Sequence, residues 1–300
     1  MSDMERSVRK AVFPAAGLGT RFLPGTKVLP KEMLVLVDRP IIQYGVEEAL
    51  QSGIDNIVLV TSRGKSMMED HFDVAYELES VLERRGKKDQ LDELRLLSKG
   101  VNVSSVRQGE PLGLGHAVLV ARHLVGDEPF AVVLTDDVID AARPALRQML
   151  DVFERVQGPV IAVERVPPED VSSYGIVAID ETDLGPGVHR IVDLVEKPPR
   201  SEAPSNLAII GRYILTPDIF PALQDTASDR TGEIQLTNGM RRLLKKRPLY
   251  ACEISGVRHD TGNKLGFLKA TAYFALKRPE FADAFRRYVE TLDKPVGTPR

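Results

Sequence analysis

The sequence predicts an α/β fold in which a mostly parallel sheet is flanked by helices. Short apolar runs rich in β-branched residues alternate with stretches of helical periodicity along most of the 300 residues. The first such run, "KAVFPAA", is followed by a helix-like stretch and then by "NIVLVT", a βαβ unit that requires parallel strands. A hydrophobic content of 43% is enough to bury a sizeable core at this length.

Each element has its own signal. Both "KAVFPAA" and "NIVLVT" are short, β-rich and bounded by turn residues. Between them "PIIQYGVEEALQSG" offers Pro40 at a helix start and Gly53 just past its end. "SMMEDHFDVAYELESVLERRG" has Ser66 and Glu69 in capping-box spacing and closes at Gly86, with Met68, Phe72, Ala75, Leu78 and Leu82 on one helical face. With "KKDQLDELRLLSKG" it forms an expected helical insertion at about residues 65–100. "VNVSSVRQ" reads as a strand, "LGHAVLVARHLV" as a helix, "FAVVLTDD" as a strand with a doubly acidic end and "PALRQMLDVFERVQG" as a helix. Four strands in close succession, "PVIAVERV", "GIVAID", "HRIVDLVEK" and "NLAIIGRYIL", make the later sheet mixed. "IQLTNGMRRLLKK" is helical, "LYACEI" a strand, and helices are expected at about 262–292 before a frayed tail, "KPVGTPR". No repeat or low-complexity linker divides residues 1–300, so a single domain is expected.

The totals exclude several function classes. A net charge of −3 argues against general nucleic-acid binding, which leaves a basic surplus. Cys252 is the only cysteine, so no disulfide forms within the chain, and a buried structural thiol is expected. The charged start "MSDMERSVRK" runs straight into the first strand without a leader pattern, and no apolar stretch approaches the about 18 residues that span a bilayer. The expectation is a cytoplasmic protein with no membrane or nucleic-acid partner.

The chemistry is concentrated in "AAGLGTRFLPGTKVLPKEML", at the carboxyl end of the first strand, where open parallel sheets bind ligands. Gly17 and Gly19 either serve a chain reversal or let backbone N–H groups approach a phosphate or a base. Arg21 and Lys31 add two cations suited to phosphate oxygens. The stretch is not a Walker P-loop, for it lacks the Gly-Lys-Ser/Thr ending. Nor is it the dinucleotide fingerprint, since Phe22 stands in place of the third glycine. "LTDD" places Asp136 and Asp137 side by side, a repulsion that a hard cation relieves; with alternate directions along a strand, one metal takes only one of them. The five histidines lack zinc-ligand spacing and read as structural.

The opening stretch closely resembles the signature of the sugar-phosphate nucleotidylyltransferases, and within them the uridylyltransferase branch. The resemblance continues through "QGEPLGLGHAV", "LTDD", "YGIV", "VEKP", "GRYIL", "GEIQLT" and "RHDTGNKLG", covering about residues 11 to 270. It implies a Rossmann-like fold of nucleotidyltransferase type, acting on UTP and glucose 1-phosphate with Mg2+. By resemblance Ala15, Ala16, Gly17, Gly19, Gln108 and Gly113 hold the nucleotide, and Arg21, Lys31 and Lys197 are catalytic. Asp136 and Asp260 would hold the metal; Asp137, Gly175, Glu196 and Lys197 would hold the sugar phosphate. Glu233 lies in a family block either as a sugar contact or as a helix cap. Thr135 replaces the glycine or proline that commonly precedes the acid pair. The resemblance also implies a homo-oligomer, a dimer or tetramer. Two alternatives stay open: a thymidylyltransferase using dTTP and glucose 1-phosphate, and a non-catalytic nucleotide-sugar-binding regulatory subunit.

Overall fold

The computed structural model describes residues 7–292; the tail "KPVGTPR" lies outside the described residues. Strand β1 (Lys10–Pro14) buries Ala11, Val12 and Phe13 completely. Val12 joins one apolar cluster while Ala11 and Phe13 join the other, so both faces of the strand are covered. Burying each Val or Phe contributes about 1.5–3 kcal/mol. From β1 the chain passes through a long loop and a short hairpin, β2 (Val35–Leu36) and β3 (Arg39–Pro40), into helix α1 (Ile41–Gln51) and strand β4 (Asn56–Thr61). β1 and β4 pair in parallel, Val12 opposite Val58, as the βαβ pattern requires.

Helices α2 (Met67–Phe72), α3 (Tyr76–Arg84) and α4 (Lys88–Ser98) leave the sheet before the edge strand β5 (Asn102–Arg107). The expected single helix from Ser66 to Gly86 is two. Asp73 is extended and its Oδ1 accepts a hydrogen bond from Val74 N at 2.7 Å, a local alternative to the next helical bond. The single apolar face is broken accordingly. Met68 and Phe72 are buried, whereas Ala75 and Leu78 are exposed and α3 buries no side chain. Ser66 makes no side-chain cap either.

The expected helix "LGHAVLVARHLV" is broken at Ala121 into α5 (Leu114–Val120) and α6 (Arg122–Val125). Strands β6 (Phe130–Val133) and β7 (Asp137–Asp140), helix α7 (Ala145–Val156) and strands β8 (Val160–Arg165), β9 (Gly175–Ile179), β10 (Val188–Glu196) and β11 (Leu207–Leu215) follow. The chain closes with α8 (Ile219–Gln224), α9 (Leu236–Leu244), β12 (Leu249–Glu253), β13 (Val257–Asp260), α10 (Lys264–Leu276) and α11 (Ala282–Leu292). The main sheet has the order β5-β4-β1-β6-β11-β8-β12-β10-β9. Only β11 and β10 run against the rest, which gives the mixed character expected of the later strands. Helices α5, α8 and α9 cover one face, and α1, α2 and α7 the other. Cys252 is a buried free thiol on β12.

Two features place the site. β5, β4, β1 and β6 are consecutive and parallel, so the loops that follow them emerge at one edge. Beside that edge, β7 and β13 form a separate antiparallel ribbon with Asp260 opposite Asp137. No helix among the described residues is long and apolar enough to cross a membrane.

Candidate active site

The loop after β1 is pinned at its start by Ala15 N, which donates to Val60 O at 2.8 Å. Ala15 and Ala16 are buried, and Gly17 is exposed with open space where a side chain would stand. Gly19 has φ +64°, and a Cβ there would lie 3.2 Å from Lys31 Cβ and 3.3 Å from Thr26 Cβ. Only glycine lets the two limbs of the loop close this tightly. Arg21 then reaches Gly262 O (3.3 Å), and Lys31 Nζ reaches Asp136 Oδ2 (2.7 Å). Arg21 and Lys31 therefore converge on the ribbon that carries the acids.

Asp136 is in the turn between β6 and β7, not on a strand, and Asp137 is the first residue of β7. The expected alternation along one strand is thus replaced by a turn, with the same result that the two carboxylates diverge. Thr261 ties the ribbon to the turn, its N and Oγ1 donating to Asp136 O at 2.7 and 2.9 Å. A Cβ built on Gly262 would sit 3.0 Å from Asp260 Oδ1 and 3.2 Å from Asp136 Oδ2, so two carboxylate oxygens face one small space. That donor set fits a magnesium-type cation, which takes one or two carboxylates and completes its shell with phosphate and water. Among the described residues no three His, Cys, Asp or Glu side chains gather as a complete metal cage. Burial alone would raise the Asp136 carboxyl, but Lys31 and, less strongly, Arg21 hold it below its ordinary range. Lys31 is raised in turn, since Asp136 and Glu32 outweigh the burial that would lower it.

Asp137 points elsewhere. Its Oδ1 accepts from Arg258 Nε at 2.6 Å and its Oδ2 from Gly211 N at 2.9 Å, and both side chains of the pair are mostly buried. Burial pushes its carboxyl up, and the neighbouring Arg258 guanidinium works against that. Asp137 nevertheless lines a cavity of about 200 Å³ together with Asp136, Tyr174, Gly175, Glu196, Thr237 and Asp260. Gly175 keeps that cavity open, because a Cβ there would lie 3.1 Å from Thr237 Oγ1 and 3.2 Å from Glu196 Oε2. Lys197 follows at the end of β10 with φ +45°, a left-handed conformation that costs a non-glycine residue about 1–2 kcal/mol. Its N–H donates to Tyr174 O at 2.9 Å, and its largely exposed Nζ stands 3.7 Å from Glu196 Oε1. Backbone strain held in this way is a mark of functional positions.

On the far side of the loop, Gln108 N donates to Thr61 O at 2.9 Å. Its Nε2 lies 3.1 Å from Gly113 O and 3.0 Å from His116 Nδ1, so one of the histidines expected to be structural supports the glutamine. Gly113 has φ 93° and ψ 178° and abuts the Glu233–Ile234 backbone. Glu233 does not cap α9: no side chain caps that helix, and Glu233 Oε2 instead accepts from Gln235 Nε2 at 3.1 Å.

Three cations, two buried and one mostly buried, escaped the sequence reading. Lys65 donates to Ala15 O, Gly17 O and Glu32 Oε2 at 2.5, 2.7 and 3.0 Å. Burial pushes Lys65 down and Glu32 up, while each partner opposes the other's shift. Arg258 binds Asp137 and Glu164, the latter at 2.6 Å. Arg212, 1% exposed, is paired with Glu48 at 2.8 Å and donates to Leu134 O at 3.0 Å, two residues before Asp136. Lys65 had a usable signal, since it follows the carboxyl end of a buried strand. Arg258 had one also, standing two residues before Asp260 on an alternating strand.

The fold and the groups gathered at its carboxyl edge are those of a nucleotide-handling α/β protein. The chain belongs to the nucleotidyl transferase family, whose model matches residues 10–276. It is 49% identical over 292 residues to the UTP–glucose-1-phosphate uridylyltransferase YngB of Bacillus subtilis (strain 168), covering 97% of each chain. Among solved structures it resembles a UDP-glucose pyrophosphorylase complexed with UDP-glucose, with TM-score 0.84 and 43% identity, over 91% of this chain and 100% of that one. It also resembles the UTP-bound UGPase of Acinetobacter baumannii, with TM-score 0.88 and 41% identity, over 96% of this chain and 100% of that one.

Proposed function

We propose that this protein transfers the uridylyl group of UTP to glucose 1-phosphate, yielding UDP-glucose and pyrophosphate. The carrying observation is the meeting of Arg21 and Lys31 with Asp136 and Asp260 at one edge of the sheet, in a chain 49% identical to a relative named for this reaction. A phosphate oxygen of the sugar phosphate attacks the α-phosphorus of UTP in line; the new P–O bond forms as the bond to pyrophosphate breaks. The nucleophile is already ionised, so no general base is needed. Catalysis consists of positioning and charge neutralisation.

In this reading Ala15, Ala16, Gly17, Gly19, Gln108 and Gly113 hold the nucleotide. Arg21 and Lys31 stabilise the departing pyrophosphate, and Lys31 exchanges its bond to Asp136 for one to phosphate. Lys197 holds the incoming phosphate, and Gly175, Glu196, Asp137 and Glu233 border the sugar. Asp136 and Asp260 are the residues that would hold Mg2+, which when bound screens phosphate charge and polarises a phosphoryl oxygen. Residues 1–300 act as one catalytic domain with a helical insertion at about 65–100 and terminal helices at about 262–292. A homo-oligomer, dimer or tetramer, is supported by Leu265, Leu268, Tyr288, Val289 and Leu292, all exposed on α10 and α11. A cytoplasmic setting suits the lone free thiol.

The test is pyrophosphate release with magnesium and glucose 1-phosphate, run in parallel with UTP, dTTP, GTP, CTP and ATP. Release with UTP that a chelator abolishes and magnesium restores is the expected result. A preference for dTTP moves the assignment to thymidylyl transfer. No release with any triphosphate, alongside measurable UDP-glucose binding, replaces catalysis with a regulatory role.

A further inference from the structure

We infer that Lys65 and Glu32 form a buried latch that positions the nucleotide loop for UTP; this rests on the reading that residues 15–34 hold the triphosphate. Lys65 is 9% exposed and Glu32 1%. An ammonium has three donors, and those of Lys65 are spent on Ala15 O, Gly17 O and Glu32 Oε2. Lys65 therefore has no donor left for a ligand and acts as a positioning residue.

The geometry of the peptide unit supplies the consequence. In a planar trans peptide the N–H points opposite to the C=O. With the carbonyls of residues 15 and 17 drawn toward Lys65, the N–H groups of Ala16 and Leu18 face the other way. Among the described residues no group accepts a hydrogen bond from either. The latch thus turns two backbone donors outward, beside the exposed Gly17, as a nest for a phosphate or a base carbonyl. Glu32 adjoins Lys31, in the short turn Lys31–Met33. One ion pair therefore ties the start of the loop to the turn that presents Lys31. Replacing a buried ion pair with an apolar pair of similar volume is often neutral or stabilising, but an apolar pair cannot hold two carbonyls.

The experiment compares the parent with Lys65→Met and with the double variant Glu32→Leu/Lys65→Met. It records kcat, KM for UTP and for glucose 1-phosphate, UTP affinity by calorimetry, and the unfolding midpoint. Lys65→Met is expected to raise KM and Kd for UTP at least about tenfold, for two lost charge-assisted bonds, with KM for glucose 1-phosphate within about twofold. The double variant removes the orphaned buried carboxylate and is expected to recover the midpoint while UTP binding stays weak. Recovery of UTP affinity together with the midpoint would make the pair merely structural, and so would parental UTP affinity in Lys65→Met. A parent that neither binds nor turns over UTP overturns the assignment of the loop and the latch with it. An active parent with unaffected variants overturns the latch alone.

Discussion

Gly113→Ala is the most quantitative test of how the proposed nucleotide side of the site is built. With φ 93° and ψ 178°, Gly113 lies in a region essentially closed to other residues, and occupying it with alanine costs about 1–3 kcal/mol. Crowding adds to this strain. The new Cβ would lie 2.8 Å from Glu233 Cβ, 3.0 Å from Ile234 O and 3.2 Å from Ile234 N. The clashing atom of Glu233 is its Cβ, which moves only with a backbone held by Asp229, and Ile234 is fixed by its own bonds, N to Leu112 O and O from Gly115 N, both 2.8 Å. Overpacking against so fixed a neighbour costs about 1–3 kcal/mol more. The total, about 2–6 kcal/mol, matches or exceeds the about 1–3 kcal/mol that two loop hydrogen bonds contribute, so the segment shifts instead of absorbing it. Its shift removes Gly113 O from Gln108 Nε2, and a penalty of even about 2 kcal/mol felt at the nucleotide raises KM for UTP roughly 30-fold. Gly126→Ala is the control: φ is +72° there, but nothing lies within 4 Å, so stability falls without a change in KM. Steady-state kinetics and urea unfolding on both variants decide the matter. If Gly113→Ala keeps its KM for UTP and loses no more stability than the control, crowding at Ile234 is not what shapes this wall.

Lys197→Gly relieves a left-handed residue and should raise unfolding free energy by up to about 1 kcal/mol while abolishing efficient use of glucose 1-phosphate; a loss of stability on urea titration would remove the strain argument. Arg212→Met leaves the Glu48 carboxylate buried without its cation and should cost about 3–5 kcal/mol, whereas Arg212→Met with Glu48→Leu should recover most of it; equal losses in single and double variants would count against the pair. Burial pushes the Cys252 thiol up to about 11 from its ordinary 9.0. The unfolded thiol therefore ionises first, and stability should decline as pH rises between those values, a slope that Cys252→Ala flattens when unfolding is followed against pH. An unchanged slope would place the alkaline loss elsewhere.

Why the fold could be read while parts of the site could not comes down to the range of the interactions. β1, β4 and β6 are buried on both faces, so their sequences are continuous apolar runs, and the runs alone give the parallel half of the sheet. The turn after Phe72 has no such signature. Met68, Phe72 and Ala75 keep helical spacing whether or not the helix continues, and a single hydrogen bond from Val74 N to Asp73 decides that it stops. The β7–β13 ribbon is four residues on each side, too short for a period to register, yet it sets where Asp260 stands relative to Asp136. The loop residues Gly17, Gly19, Arg21 and Lys31 were legible as candidates because glycine and cations are out of place where packing alone is at stake.

The supporting charges were illegible for a different reason: their partners lie 33, 121 and 164 residues away for Lys65, Arg258 and Arg212. Each fixes one wall of the site by acting on a neighbour that the spacing of residues cannot reveal. Arg258 is the instructive case. Two vicinal carboxylates compete for any cation that approaches them, and a site with one metal ligand from the pair needs the other neutralised in place. Arg258 Nε and Gly211 N engage both oxygens of Asp137, while Asp136 Oδ2 meets only the side chain of Lys31, which can be exchanged for a ligand. The distinction between Asp136 and Asp137 is therefore made by their partners and not by the acids themselves. Removing Arg258 should leave Asp137 free to compete, which makes its guanidinium part of the reason that Asp136 and Asp260 are the pair proposed to hold the cation.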